Sequence, residues 1–185
     1  LASGADELIL LEDNSFEQLD SYATAHLLAT AIRETGEYDL ILCGRQAADT
    51  DAGQVGSGLA EILKIPCITA ACKVDLSDGK VLVERVVSDG YEIIEAPLPA
   101  LVTASSEIGD LRYPKLKDLQ AAQKMPITVR SAQTLGIDAA GLKRLNMVRL
   151  AEPPRRKTEC RIIGGETPEE AGAALALKVT EARLL

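Results

Sequence analysis

Ile41-Leu-Cys-Gly44-Arg-Gln-Ala-Ala-Asp49-Thr-Asp-Ala-Gly53-Gln-Val-Gly56-Ser57 is the stretch that decides the fold. An apolar strand from Tyr38 to Cys43 runs into Gly44, then an acidic turn, then glycines 53, 56 and 58 opening a helix. Where such a strand stops and a helix begins, unpaired N–H groups and the positive helix end point at one spot, which suits a phosphate. The acidic cluster Asp49-Thr50-Asp51 can order the turn through side-chain hydrogen bonds, or bind ribose hydroxyls or a metal. Gln54 carries an amide able to bond a phosphate or adenine. A plain strand-to-helix connection accounts for the same residues, and neither GxGxxG nor GxxxxGK[ST] is present.

The elements on either side extend this into an α/β chain. Ala5 to Leu11 reads as a short buried strand. Asp20 or Ser21 caps a helix with Tyr22, Ala25, Ala29 and Ile32 on one face, stopping at Gly36. Beyond the glycine turn, Leu59, Ile62 and Leu63 mark a second helix that Ile65-Pro66 ends, and Cys67 to Val74 follows as a strand. Strand–helix–strand–helix–strand at this spacing means a parallel sheet with right-handed crossovers. The pattern then changes to short strands, Val74–Leu76, Val81–Val87, Tyr91–Ile94 and Leu98–Thr103. The turns Ser77-Asp78-Gly79 and Ser88-Asp89-Gly90 separate the first three as hairpins, an antiparallel excursion from the sheet. After a polar, then amphipathic stretch (105–125) come an extended segment (127–130), a Pro-Pro-Arg-Arg-Lys linker (153–157) and a last helix. Thr167 caps that helix, Pro168 takes its first turn, and Ala171, Ala174, Leu175 and Leu177 to Val179 form its apolar face.

Composition narrows the function. With 185 residues, 46% of them hydrophobic, the chain can bury a core, which must be aliphatic because it holds no Trp and one Phe. A formal charge of −8 argues against nucleic acid as a partner. No apolar run approaches the roughly 18 residues of a membrane span, so no membrane insertion is expected. Cys43, Cys67, Cys72 and Cys160 show no CxxC spacing and read as buried free thiols in a reducing, cytoplasmic setting. The single histidine, His26, lies inside an amphipathic helix, and no G-x-S-x-G occurs, so nucleophilic catalysis has no support. Arg155-Arg156-Lys157 reads as a solvated linker or as an arm for acidic groups on another protein. The opening Leu1-Ala-Ser-Gly4 reads as a helix end closed by glycine, with chain upstream of it.

One further pattern lies in the hairpin region: Val83-Glu-Arg85-Val-Val-Ser-Asp89-Gly90-Tyr-Glu92-Ile-Ile94, then Pro99-Ala-Leu101-Val-Thr103. It resembles the signature of the β subunit of electron transfer flavoproteins, including the Fix-type branch. Ser88 departs from it, where an acid is usual. The Gly44-Arg45-Gln46-Ala47-x-Asp49 turn, Arg112-Tyr113 and Glu152-Pro153-Pro154 are similar to the family's as well, and the resemblance spans the chain.

The resemblance implies a Rossmann-like sheet of the adenine nucleotide α-hydrolase type, with a hairpin extension and a C-terminal arm (145–185) that contacts an α subunit. It implies an electron carrier rather than an enzyme. FAD is held mainly by the α subunit, and AMP or a second FAD by the β subunit. The nucleotide contacts would fall on Cys43, Gly44, Arg45, Gln46, Asp49, Thr50, Asp51, Gly53, Gln54, Val55, Gly56 and Ser57. AMP-holding members commonly carry threonine where this chain has Val55, and Val55-Gly56 resembles the branch that binds a second FAD. Residues 104–126 match the loop that docks acyl-CoA or related dehydrogenases, with Leu116 as the anchor and Tyr113 and Leu119 beside it. A membrane quinone oxidoreductase is an expected acceptor. The family's first strand would lie before Leu1, so the sheet should lack a central strand. A stand-alone adenine-nucleotide sensor of similar fold stays open as the alternative.

Overall fold

In a computed structural model, residues 1–154 and 160–182 are described. The chain divides into two compact units, Leu1–Asn146 and Met147–Leu185. The first is built on β1 (Ile9–Leu11), α1 (Ser21–Thr35), β2 (Leu40–Gly44), α2 (Val55–Leu63), β3 (Cys67–Ser77), β4 (Lys80–Val87), β5 (Gly90–Pro97), β6 (Ala100–Ala104), α3 (Leu116–Ala122), β7 (Thr128–Arg130) and α4 (Ala139–Leu142). The second carries α5 (Pro168–Glu181). Asp20 and Thr167 cap α1 and α5 as their side chains allow, and Gly36 follows α1 with φ 98°. Leu1 to Gly4 forms a turn, closed by a Gly4 N–H···O=C Leu1 bond of 2.9 Å.

The main sheet runs β2-β6-β3-β4-β5. β6 lies between β2 and β3 and is parallel to both, whereas β3, β4 and β5 follow as antiparallel hairpins. The 98–103 run is therefore the central parallel strand and not another limb of the antiparallel excursion. Its apolar run explains this: Ala100, Leu101 and Val102 are fully buried, as a strand covered on both faces requires. The two hairpin turns form as expected. Asp78 and Gly79 both take positive φ (50° and 74°), the requirement of the tight two-residue turn between twisted strands.

β1 departs from expectation. It pairs only with β7, in a two-stranded parallel sheet that shares no strand with the five-stranded one. Leu8, Ile9 and Leu10 are each roughly two-fifths exposed, so this strand is not buried. Three residues with one hydrogen-bonded neighbour do not generate two covered faces.

Alternation along β6 divides the core. Leu101 faces Ala25, Ala29, Leu59 and Ala60 of the helices. Ala100 and Val102 face the opposite cluster with Ile68, Ala71, Val81, Val83 and Ala96. The close approach of α1 to α2 depends on small residues: a Cβ on Gly58 would sit 3.3 Å from that of Ala25. α1 also buries a second side, where Leu27 and Ala31 meet Leu135. Tyr22, placed by periodicity on the core face, is instead 43% exposed.

β3 carries a bulge that joins its parallel and antiparallel halves. Register slips on both sides of Ala71, and Ala70 takes φ 59°. The freed Ala70 N–H donates to Thr103 Oγ1 at 3.3 Å. Thr103 is 4% exposed, so a buried hydroxyl satisfies the donor that the bulge frees from the ladder.

In the second unit α5 has no buried residue, and Leu175 and Leu177 are half or more exposed. The Arg155-Arg156-Lys157 linker lies outside the described residues. The four cysteines are free, but none is buried: Cys43 and Cys72 are half-covered on strands, Cys67 starts a strand, and Cys160 sits on an extended segment. Among the described residues no helix is long and apolar enough to cross a membrane, and no cluster of His, Cys, Asp and Glu could hold a metal ion.

Candidate functional site

Side by side, β2 and β6 end at Gly44 and Ala104, and the Arg45 N–H extends their pairing by donating to Ala104 O at 2.8 Å. The crevice outside the carboxyl ends of parallel strands is where open α/β sheets hold ligands. Here it is a cleft of about 370 Å³ lined by Gly44, Arg45, Gln46, Ala104, Ser105 and Glu107. The Glu107 carboxyl is held below its ordinary value by the Ser105 hydroxyl, then by its own backbone N–H and the Arg45 charge. The cleft therefore carries one cation, one anion and backbone polar groups.

The loop from Arg45 to α2 is ordered by its own hydrogen bonds. Gln46 Nε2 donates to Asp51 Oδ1 (2.9 Å), Asp51 N to Ala47 O (2.9 Å) and Gly53 N to Asp51 O (2.9 Å). Asp51 takes φ 51°, a left-handed turn that aspartate tolerates. Thr50 Oγ1 lies 3.4 Å from Asp49 Oδ1. Asp49, Thr50 and Asp51 are thus exposed turn-formers outside the cleft lining.

Gln54 stands at the N-cap of α2, yet its side chain makes no capping bond, so the first N–H groups of the helix have no side-chain cap. That side chain lines a different cleft, about 250 Å³, between α1 and α2 with Ser21, Tyr22, Ala25, Gly58, Glu61 and Ile62. Gln54 is not brought together with Arg45 and Gln46.

Gly56 sets how close the helix start comes to the sheet. A Cβ there would lie 2.5 Å from Thr103 Cγ2 and 3.7 Å from Cys43 Cβ. At Gly53 the same atom would meet Arg45 O at 3.4 Å, an ordinary contact. Cys43 consequently sits beneath the start of α2 rather than in the cleft; burial, then the nearby Cys67 thiol, pushes its own thiol up. Burial likewise raises Cys67, whose Sγ is 4.0 Å from Ser57 Oγ. Neither thiol is poised as a nucleophile.

Ala104, Ser105 and Glu107 were not foreseen as cleft residues. Their segment reads as the start of a polar loop, and only the insertion of β6 beside β2 brings it to Gly44. At the remaining positions, Tyr113 is 93%, Leu116 71% and Leu119 43% exposed, and α3 buries no residue. Leu116 begins α3 immediately after Lys115, whose N–H donates to Asp118 Oδ2 at 3.2 Å. None of the three side chains is packed inward within this unit.

Comparison with known proteins agrees with this geometry. Residues 1–135 match the model of a family described as "Electron transfer flavoprotein domain". The chain is 38% identical over 189 residues to "Caffeyl-CoA reductase-Etf complex subunit CarD" of Acetobacterium woodii, covering all of this chain and 72% of that one. It is 46% identical over 139 residues to "Electron transfer flavoprotein subunit beta" of Thermoanaerobacterium thermosaccharolyticum, covering 75% of this chain and 53% of that protein. A Rossmann-like sheet with antiparallel hairpins, a cleft at its strand ends and a family match over most of its length lead to one conclusion: the chain belongs to the electron transfer flavoprotein domain family.

Proposed function

We propose that the chain works as the β-type subunit of a two-subunit electron transfer flavoprotein. It completes the surroundings of a flavin held mainly by an α subunit and binds an adenine nucleotide of its own. The observation that carries this reading is the cleft at the carboxyl ends of the parallel strands β2 and β6. Arg45 is its cation, and Gly44 and Gln46 supply further polar groups for a phosphate. At about 370 Å³ it is near the lower end of the roughly 300–1,000 Å³ of small-molecule sites, sized for one nucleotide moiety. That moiety is AMP or the adenosine part of a second FAD. Val55 offers no hydroxyl to a phosphate, which favours the second.

On this reading the electrons pass through flavin, and the chain makes no covalent change itself. Leu116, with Tyr113 and Leu119, docks a dehydrogenase of the acyl-CoA or a related class. One exposed apolar side chain seated in a partner pocket can dominate a weak, transient contact. A quinone oxidoreductase or another acceptor receives the electrons. The segment beyond Asn146, with Val148 and Leu150 almost fully exposed, meets the α subunit.

Co-purification of the chain with the product of its genomic neighbour, followed by flavin and nucleotide counts per complex, tests this. A yellow heterodimer with two FAD supports the second-flavin form, and one FAD plus AMP supports the other. A colourless, partner-free protein that binds ATP would replace the proposal with the nucleotide-sensor reading.

A further inference from the structure

Asp20 makes more bonds than a helix cap needs. Its Oδ1 accepts from Ala23 N at 2.8 Å, which starts α1. Its Oδ2 accepts from both Arg144 N and Leu145 N, each at 2.6 Å, across more than 120 residues of chain. Beside it the Arg144 guanidinium lies over the Tyr22 ring, 5.1 Å from the centroid. Arg144 and Leu145 are almost the last residues of the first unit, which ends at Asn146. Immediately beyond come Met147, Val148 and Leu150, 67%, 97% and 87% exposed.

A cap requires one oxygen, and serine supplies it as well as aspartate does. Two adjacent backbone N–H groups converging on the second oxygen require a carboxylate, because an asparagine would present an amide NH2, a donor, there. We infer that Asp20 is a positioning residue for subunit assembly: one carboxylate starts α1 and pins the root of the exposed segment that follows Asn146. Pinning fixes the backbone at Arg144 and Leu145, at the end of the first unit, before any partner is met. Less chain must then be ordered during association, which is how preorganisation strengthens binding. This rests on the reading of the chain as a subunit whose segment beyond Asn146 contacts an α subunit.

The test compares the full chain with its Asp20→Ser and Asp20→Asn variants. Serine retains the cap on Ala23 but is too short to hold Arg144 and Leu145. Amide hydrogen exchange on the chain alone should then quicken at Arg144 and Leu145 by about tenfold or more, with Ala23 unchanged. Asparagine should leave one of the two sets exposed, and neither variant should match the parent. With α subunit added, Asp20→Ser should bind about tenfold more weakly, because the segment is no longer preorganised. Unchanged exchange at Arg144 and Leu145 in Asp20→Ser overturns the pin. Altered exchange with unchanged affinity overturns its role in assembly. Absence of new protection over 160–182 on adding α subunit instead sinks the reading of the arm, while the exchange of the free chain still judges the pin.

Discussion

Replacing Gly56 by alanine separates two opposed effects of known size. In an exposed helix alanine is better than glycine by about 0.5–1 kcal/mol, so propensity alone predicts a more stable protein. Position 56 is different, because the new Cβ would lie 2.5 Å from Thr103 Cγ2, against the 3.4 Å where ordinary contact begins, a shortfall of 0.9 Å. Thr103 has no easy escape. It is 4% exposed, and rotating its side chain would take Oγ1 away from the Ala70 N–H that it accepts. The start of α2 must therefore move off the sheet by about that distance. Overpacking of this kind costs about 1–3 kcal/mol, which outweighs the propensity gain. A net loss of about 1–2 kcal/mol lowers Tm by about 2–8 °C for a chain of this length.

The displacement also carries Gly53 to Val55 and the uncapped helix start with it. If this turn holds the nucleotide, affinity by calorimetry should fall about tenfold, since a site displaced by about 1 Å loses its pre-set geometry. Thr103→Ser supplies the internal control: it removes the offending methyl group and keeps the hydroxyl. Gly56→Ala with Thr103→Ser should recover most of the stability lost by Gly56→Ala. A single Gly56→Ala variant as stable as the parent, or a double variant with no recovery, would falsify the contact as the reason for glycine.

Three other outcomes follow from the same structure. Thr103→Val keeps the shape and strands the Ala70 N–H at the β3 bulge, so urea unfolding should show a loss of about 1–3 kcal/mol. A loss below that of Thr103→Ser would refute the role of the hydroxyl. Lys64, the left-handed residue closing α2 at φ 61°, should be improved by glycine; Lys64→Gly is expected to gain about 1 kcal/mol, read as a rise in Tm. Finally, Asp13 is held below its ordinary value chiefly by the Ser15 backbone N–H, and Asp20 chiefly by that of Ala23. A depressed carboxyl contributes stability above its unfolded value of about 3.8–3.9 and loses it as pH falls through the folded one. Thermal scans below pH 4 should therefore show a decline that is smaller in Asp13→Asn and in Asp20→Asn, and an equal decline in all three proteins would contradict it.

Local chemistry was legible from the start. Thr167-Pro168 and Asp20 each announce a helix start, and Asp78-Gly79 a tight hairpin turn, because caps and positive φ need only neighbouring residues. The strand-to-helix turn at Gly44 was legible for the same reason. Harder to read was everything that depended on which strand lies beside which. Ala104, Ser105 and Glu107 entered the cleft only because β6 crosses back between β2 and β3. Gln54, four residues past Thr50 and well placed in sequence, lines the α1–α2 cleft instead, which exists only once those two helices are packed together.

The sequence by itself determined the α/β class, the hairpins, the helix caps and the family, all of which follow from short-range pattern and ordered motifs. Tertiary structure alone decided the central place of β6, the short exposed pair of β1 with β7, and the second duty of Asp20. The physical reason is reach. A cap or a turn is satisfied within a few residues, but a buried strand, a Cβ-sized gap at Gly56 or a carboxylate shared with Arg144 exists only once distant parts of the chain are packed together.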